Sequence, residues 1–502
     1  MQHIPLYVNS SYCFDSLNTI SFWGKCSGFP YSQTDFSKDY KYQEFINNPG
    51  LYDYTENATY NSTSVNGSLG IEYEHKFNNN GHKLIAEIEG GAQKRYRNNN
   101  FLRIYDYYPE RNKDKETVSD SKDYNFSGKI NYSVPYHKNG MIEMGVEGFY
   151  TSEISVFRTD TLSGGTYVLD SLRYKDYAGS QGDLDGYITV QHKFGRFTIK
   201  GGLRSENRFL KYNVHNQPEH HDQNVYPGLF PSLHFSYATK SMHNFNLSYT
   251  RRVNYPQNSQ LNTFVTYGED SFSTGNGDLK STYTNSVEGG WSKFFPKFGS
   301  VGLSAYFKNN KDEINNITDV VYADFFGRYV SYSMPVNSSE SHQYGGSLYV
   351  MYRLKKFMTI RLNASAYQYY SETIFRDNED AAVTDCFTYS FRLNFWAKLW
   401  KFLEINASGN YRSQTKTVFN ETAPTYSINC GLRSDFWKRK ISVFLNMQDI
   451  FNWGKRQNTY TNPYYATYSS RKYNSRFISV GITFRFGKIE MEKQARTGAY
   501  TG

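Results

Sequence analysis

The stretch 357-FMTIRLNASAY-367 alternates between apolar and polar side chains along its length. The apolar side chains occupy every second position: Met358, Ile360, Leu362, Ala364 and Ala366. A period of two predicts a β-strand whose faces meet different surroundings, because successive side chains point to opposite sides. The stretches 300-SVGLSAYFK-308 and 402-FLEINASGNYR-412 repeat the pattern, and charged residues recur on the polar face. We therefore expect that face to stay wet.

The composition joins many aromatic side chains to a polar average. Aromatic residues make up 18% of the 502 residues, with 47 Tyr and 37 Phe, while the mean hydropathy is −0.70. This combination is typical of a β-barrel in an outer membrane, whose strands alternate between lipid and a wet lumen and whose aromatic residues ring both interfaces. No run of about 18 apolar residues occurs, so the sequence predicts no transmembrane helix.

Two kinds of connection alternate along the chain. The tight turns fall at 15–18, 78–83, 136–140, 193–196, 239–243, 296–299, 353–356, 398–401 and 437–440. The long polar loops are expected at 29–60, 97–121, 159–181, 213–230, 254–279, 317–335 and 453–470. This alternation predicts an up-and-down barrel with short periplasmic turns and longer external loops. A sandwich would show turn signals about every 8 to 12 residues.

Counting the strands gives about nineteen, and their directions make a second prediction. The first strand, near 5–14, ends in a short turn, and the last, 472–486, follows a long loop. Both therefore run toward the periplasm, whereas a single-chain barrel has an even number of strands. We expect at least one strand to precede Met1. The opening MQHIPLYVNSSY also carries no secretory signal pattern.

A segment in the middle of the chain carries a family resemblance. Its runs are 231-PSLHFSY-237, 247-LSYTRRVNYP-256, 260-QLNTF-264, 273-STGNGDLK-280 and 283-YTNSVEGG-290. They resemble the barrel of TonB-dependent outer-membrane receptors, and more closely the branch known as the outer-membrane β-barrel family. The closing 481-GITFRFGKIEMEKQAR-496 is similar to the C-terminal end of that branch.

The resemblance implies an all-β fold, a transmembrane up-and-down antiparallel β-barrel. About 19 strands of an expected 22 are present in this interpretation, and the plug domain that fills such barrels is absent. Residues 1–486 then form the partial barrel and residues 487–502 a polar C-terminal tail. The family implies active uptake of a scarce nutrient in the outer membrane of a Gram-negative bacterium. Its energy would come from the TonB complex through the missing N-terminal plug region.

The glycines of 273-STGNGDLKSTYTNS-286 invite comparison with a phosphate-binding loop. That loop needs a glycine directly before its lysine and a helix after it. Here Leu279 precedes Lys280, and a strand is expected from Thr282. The segment therefore predicts no nucleotide site, and its glycines are interpreted as loop residues.

Two sets of side chains are candidate ligand sites. The first consists of lumen-facing arginines, which would guide an anionic ligand or contact the plug: Arg204, Arg252, Arg361 and Arg412. A wet lumen also carries charges of both signs for solvation and strand pairing, so both interpretations stay open. The second set lies in an external loop and would bind zinc or copper: His215, His220, His221 and Asp222. A merely polar loop is the alternative.

Several function classes are disfavoured. The four cysteines lack a C-x-x-C pair, so they predict neither a disulfide framework nor a zinc site. The net charge of +9 is spread along the chain rather than gathered on one face, so nucleic acid is not an expected partner. The sequence shows no G-x-S-x-G elbow, and we predict no enzyme activity and no cofactor.

Three functions remain open, and all place the barrel in outer-membrane lipid. The first is nutrient uptake as a TonB-dependent receptor, with a surface lipoprotein as an additional open partner. The second is a passive channel, and the third is a structural or adhesive barrel that acts through its external loops. The transported ligand is left open among iron chelates, cobalamin, glycans and peptides.

Overall fold

The computed structural model describes most of the chain. The described residues are 4–40, 54–105, 109, 112–215, 221–268, 271–324, 327–355, 357–375, 378–400, 402–437, 440–461, 466–472 and 475–485. Strands dominate them, and the other regular elements include the short α-helix Asn258–Leu261 and the 3-10 turn Ser171–Arg173. Among these residues no helix is long and apolar enough to cross a membrane.

The strands are numbered in chain order. The first half comprises β1 (Ile4–Cys13), β2 (Asn18–Tyr40), β3 (Tyr54–Lys76), β4 (Lys83–Tyr105), β5 (Lys113–Tyr136), β6 (Gly140–Ser163), β7 (Thr166–Leu169), β8 (Lys175–Phe194), β9 (Phe197–Val214), β10 (His221–Ala238), β11 (His243–Asn254), the helix α1 (Asn258–Leu261), β12 (Thr266–Tyr267) and β13 (Ser271–Ser273). The second half comprises β14 (Thr282–Phe295), β15 (Gly299–Ala323), β16 (Arg328–Leu354), β17 (Met358–Phe375), β18 (Asn378–Lys398), β19 (Leu403–Arg412), β20 (Thr415–Lys416), β21 (Asn420–Thr422), β22 (Thr425–Phe436), β23 (Ile441–Gln448), β24 (Lys455–Thr461), β25 (Ala466–Lys472) and β26 (Phe477–Phe484).

Nineteen of these strands form one antiparallel up-and-down meander, which confirms the predicted fold class and strand count. The short strands β7, β12 and β13 extend the same sheet to 22 strands, and β20, β21, β24 and β25 form a separate small sheet. Among the described residues β1 pairs only with β2, and β26 only with β23, so the sheet is open between them.

The strands continue well beyond the boundaries that the sequence predicted for the loops. The pair β15–β16 runs from Gly299 opposite Tyr352 to Ala323 opposite Arg328, through a segment expected to be loop from 317 to 335. Backbone pairing explains the difference, because two adjacent polar segments can satisfy each other's N–H and C=O groups above the membrane. The expected loop at 453–470 likewise forms the hairpin β24–β25.

The two faces of the meander differ as the alternation predicts. Large apolar side chains are exposed on one face, such as Leu184 and Ile188 on β8 and Leu203 and Phe209 on β9. The last strand shows the same row, with Ile478, Val480, Ile482 and Phe484 between 56% and 70% exposed. Phe486, predicted to continue this row, lies outside the described residues. The apolar face is the lipid-facing outer surface, and the polar face lines the lumen.

Candidate ligand site at the barrel mouth

Two neighbouring strands place alternating charges on the lumen face, in the stretches 181-QGDLD-185 of β8 and 204-RSENR-208 of β9. The register sets Asp183 directly opposite Arg208. The Arg208 guanidinium donates two hydrogen bonds to this carboxylate, with Nε–Oδ1 at 2.7 Å and Nη2–Oδ2 at 2.9 Å. A bidentate pair of this kind fixes the orientation of both side chains.

Arg204, one of the predicted lumen arginines, is held between two carboxylates. Its Nη2 lies 2.7 Å from Asp185 Oδ2, and its Nε lies 2.7 Å from Glu206 Oε1. These side chains share the lumen face because the period-two alternation puts them on the side opposite Leu203. The charge of Arg204 is therefore already compensated within the wall.

The connection between β11 and β14 folds inward over this wall. We call its described residues, 254–268 and 271–281, the strap. The helix α1 lies near its start, where the Gln260 side chain accepts a hydrogen bond from the backbone N–H of Gln257 at 2.9 Å. After α1 come turns and the two very short strands β12 and β13, so the strap is held mainly by its contacts with the wall.

A small apolar core joins the strap to the lumen face. It is formed by six buried side chains, three from β9 and three from the strap: Leu210, Tyr212, Val214, Leu261, Phe264 and Leu279. The Tyr212 hydroxyl donates to Leu261 O at 2.9 Å and accepts from Thr263 N at 2.8 Å. Since the even-numbered side chains at this end of β9 point into the lumen, the core lies inside the barrel mouth.

The far part of the strap is attached to a distant wall. Residues 271–273 pair in parallel with residues 331–333 of β16. The Asn337 amide accepts from Lys280 N at 2.8 Å and donates to Lys280 O at 2.9 Å. Gly275 approaches the backbone so closely that a Cβ there would meet Asn262 O at 2.3 Å. The predicted loop glycine thus allows the strap to fold back on itself, and no helix follows Lys280.

Between the strap and the wall lies a cavity of about 630 Å³. The wall contributes Glu153, Gln181, Glu206 and Arg208, and the other side is formed by residues 253–259. The roughly 13 residues from Gly195 to Arg208 span about 43 Å of strand. A tilt of about 40° reduces this to a height of about 33 Å, above the apolar band of about 25 Å. The cavity therefore lies at the outer end of the barrel.

Tyr255 is the aromatic side chain of this cavity. Its hydroxyl donates to Glu206 Oε2 at 3.3 Å, and the guanidinium carbon of Arg208 lies 4.3 Å from its ring centre. Burial, together with the negative charge of Glu206, raises the pKa of Tyr255. The hydroxyl therefore remains a protonated donor. The cavity offers carboxylate acceptors, amide groups and one aromatic ring, which suits a ligand rich in polar groups.

The four predicted arginines all lie on the lumen face but do not form one cluster. Arg252 is opposite Thr284, Arg361 opposite Asn394, and Arg412 opposite Ser390. No ion pair links these three to another described side chain. Along the sheet, β11 and β17 are separated by β14, β15 and β16. Their role in ligand binding stays a prediction.

The predicted metal cluster is only partly within the described residues. His215 Nδ1 lies 3.1 Å from Asp176 Oδ1, in a pair that the sequence did not suggest. His221 and Asp222 begin β10, where their backbones pair with β9, and His220 lies outside the described residues. Within the part of the chain that the structure describes, no group of three or more metal-binding side chains occurs. The metal site stays a prediction.

Sequence reasoning missed the residues that line the cavity. The sequence does show complementary charges at every second position, in the lining residues Glu206 and Arg208 and in their partners Arg204, Asp183 and Asp185. The alternation assigns all of them to one face. The height of these side chains along the barrel wall depends on the register between β8 and β9. Tyr255, which forms the other side of the cavity, comes from a segment about 50 residues away.

The family model described as the outer membrane protein beta-barrel family matches residues 75–486. The chain belongs to this family. It is therefore a protein of the Gram-negative outer membrane, as the sequence predicted. Comparison with curated proteins gave no match.

Solved structures share the fold at low identity. The copper transporter OprC has a TM-score of 0.57 at 10% identity, covering 96% of this chain and 79% of its own. The ferric-catecholate import receptor Fiu from K12 E. coli has a TM-score of 0.56 at 9% identity, with coverages of 96% and 80%. The siderophore receptor PiuA from Acinetobacter baumannii has a TM-score of 0.55 at 11% identity, with coverages of 96% and 79%. This family member thus has the fold of transporter and receptor barrels.

Proposed function

We propose that this family member is the barrel of an outer-membrane receptor for active uptake of a scarce nutrient. The observation that carries the proposal is the cavity between the strap and the charged wall of β8 and β9. It lies at the outer end of the lumen, where a ligand from outside arrives first. The structural neighbours are a copper transporter, a ferric-catecholate import receptor and a siderophore receptor, and these roles support the same class of function.

The strap favours gated uptake over a passive channel. It is attached to β9 through Tyr212 and to β16 through Asn337, so it crosses part of the mouth. The order of strands from β9 to β16 places these attachments five strands apart, about 24 Å along the wall. The strap therefore reduces the free cross-section of the mouth. We propose that energy comes from the TonB complex and that the protein carries out no chemical step.

The lining of the cavity favours a particular ligand chemistry. Glu153 and Glu206 supply two carboxylates. Arg208, the cation among the described lining residues, is paired with Asp183, and Arg204 is shared between Asp185 and Glu206. A ligand with hydroxyl, amide or cationic groups therefore finds acceptors, and an anion would face uncompensated negative charge. We propose a neutral or cationic polar ligand for this cavity.

The test follows the solutes that cells remove from a defined medium under nutrient limitation. Mass spectrometry would compare cells with the protein, cells lacking its gene, and cells lacking TonB. We expect depletion of at least one solute to stop in both deficient strains. Depletion that continues without TonB would contradict active uptake and favour a passive channel, which conductance in a planar bilayer would then confirm.

A pair of matched variants assigns the uptake to the cavity. Arg208→Gln removes the ion pair with Asp183 and frees the Tyr255 ring, so we expect the rate of uptake to fall severalfold. Arg392→Gln removes a lumen arginine whose Nε donates to Asn410 at 2.8 Å, away from the cavity. We expect this control to transport normally. Equal rates for both variants would contradict a role of the cavity.

A further inference from the structure

The ladder between β15 and β16 contains two bulges that face each other in its outer part. Asn310 lies opposite Ser341 and Glu313 opposite Ser339, so β15 holds one extra residue between these pairs. The next pair skips Ser338 on β16, and the original register then resumes. Two bulges that cancel each other change only the residues within them. Bulges re-aim side chains and are frequent next to functional sites.

The bulge brings the Glu313 carboxylate to the lumen face. Phe307 is exposed on the outer face, so Asn310 points into the lumen, and uninterrupted alternation would send Glu313 outward. Instead the Asn310 amide donates to Glu313 Oε1 at 3.0 Å. The roughly 14 residues from Gly299 to Glu313 span about 46 Å of strand, which a tilt of about 40° reduces to a height of about 35 Å, above the apolar band of about 25 Å. The carboxylate therefore lies above the membrane.

Neutral donors contact this carboxylate. Oε1 also accepts from the Ser341 hydroxyl at 2.9 Å, and Oε2 accepts from the Ser339 hydroxyl at 3.3 Å. Burial raises the pKa of Glu313, and the three hydrogen bonds oppose this only in part. No ion pair joins Glu313 to another side chain that the structure describes. When ionised, this carboxylate therefore lacks a counter-charge from the described residues.

Hydroxyl groups removed from water lie beside the carboxylate. Three of them, on β16 and β17, are 0% exposed: Ser341, Ser371 and Thr373. Thr373 lies directly opposite Ser339, the donor to Glu313 Oε2, and the Cβ atoms of such a pair are about 5 Å apart. The Thr373 hydroxyl has no hydrogen-bond partner among the described residues. A buried polar atom of this kind is unfavourable unless a bound group satisfies it.

We propose that Glu313 and the hydroxyl groups of Ser339, Ser341 and Thr373 bind a sodium ion. A set of oxygen donors suits a hard cation, and calcium sites use several carboxylates, whereas one carboxylate balances a single positive charge. A hydroxyl that donates its hydrogen to the carboxylate keeps an oxygen lone pair for the ion. The ion also supplies the partner that Thr373 lacks. The site is separate from the cavity at the mouth and does not depend on the ligand that is taken up.

The same bulge anchors the end of the strap. The Asp312 carbonyl oxygen accepts from the Thr282 hydroxyl at 2.9 Å and from the Asn337 amide at 2.8 Å, and this amide also holds Lys280. Asp312 has a φ of 57°, a conformation that costs a residue other than glycine free energy. A bound ion stabilises the bulge and, through it, this attachment of the strap.

The test measures amide hydrogen exchange of the full chain in detergent micelles, in sodium chloride or in N-methylglucamine chloride at equal ionic strength. An ion that binds only the closed wall makes local opening about tenfold rarer when its concentration is about ten times its dissociation constant. We therefore expect sodium to slow exchange in residues 311–315 and 337–341 about tenfold. Glu313→Gln should abolish this effect.

Two further variants make the result specific. Glu340 is exposed and alternates with Ser339 and Ser341, so it points to the other face, where it lies 3.8 Å from Lys311. Glu340→Gln is the matched control and should respond to sodium as the wild type does. Thr373→Val keeps the shape of the side chain but removes the hydroxyl, so it should weaken the response severalfold. This second variant tests the site even if Glu313→Gln fails to fold.

Three outcomes would overturn the sodium site. The first is equal exchange of the wild type in the two salts. The second is an unchanged response to sodium in Glu313→Gln or in Thr373→Val. The third is protection that increases on acidification but not with sodium, which would indicate that Glu313 is held in its protonated form.

Discussion

At the scale of the residue, Asp449 closes the turn that joins β23 to β24. Burial opposes its ionisation, but hydrogen bonds from the Ser475 hydroxyl and from the N–H groups of Trp453 and Gly454 outweigh this and lower the pKa of its carboxyl. Asp449→Asn replaces one acceptor oxygen by an amide that also donates. We expect the free energy of unfolding to fall by about 1–3 kcal/mol, measured by denaturant titration in micelles.

The pH dependence of this loss has a defined sign. Because the folded pKa is lowered, the stabilisation by the Asp449 carboxylate is fully present above the ordinary carboxyl value of about 3.9. It is lost as pH falls through the folded value. The wild type and Asp449→Asn should therefore differ at neutral pH and converge in acid.

A control at the opposite membrane face uses another aspartate in a turn. Asp15 Oδ1 accepts from Leu17 N at 2.7 Å and Asn18 N at 2.8 Å, in an exposed position. Asparagine retains the Oδ1 acceptor but loses the Oδ2 acceptor of Asn18 Nδ2, at 2.8 Å. Because water can replace this exposed hydrogen bond, Asp15→Asn should lower the unfolding midpoint much less than Asp449→Asn. A loss equal to that of Asp449→Asn would show that the turn at Asp449 has no special role.

At the scale of the element, the strap depends on one hydroxyl. Tyr212→Phe leaves Leu261 O and Thr263 N without their hydrogen bonds inside a buried core. We expect the strap to open locally, so that amide hydrogen exchange of residues 257–264 becomes at least about tenfold faster. The strands β9 and β10 should keep their protection, because their ladder is untouched.

Tyr237→Phe provides the matched control on the same sheet. Tyr237 is 44% exposed on the outer face, near the short turn that ends β10. Removing its hydroxyl should not change exchange in the strap. Unchanged exchange in Tyr212→Phe would mean that apolar packing of Leu261 and Phe264 alone holds the strap in the mouth.

At the scale of the whole molecule, the assignment of the outer face predicts how the protein inserts. Val480 lies near the middle of β26, opposite Leu445, and is 70% exposed. An arginine on the lipid face near the bilayer centre costs about 2–4 kcal/mol. Val480→Arg should therefore reduce the fraction of protein that folds into liposomes, measured by the heat-dependent shift on gels.

The neighbouring residue tests the face rather than the substitution itself. Ser479 lies opposite Asn446 on the lumen side of the same strand. Ser479→Arg adds the same side chain where water is present, and it should insert almost as well as the wild type. A larger defect for Ser479→Arg than for Val480→Arg would reverse the assignment of the two faces.

The sequence by itself determined the meander, the two faces and the positions of the short turns. These features are local, because alternation with a period of two and turn residues act within a few positions. Only the tertiary structure decided the strap and the cavity. Tyr212 reaches Leu261 across 49 positions, and Arg173 reaches the carbonyl of Tyr267 across 94. Such contacts depend on strand register and on the path of a long connection, which no local pattern encodes.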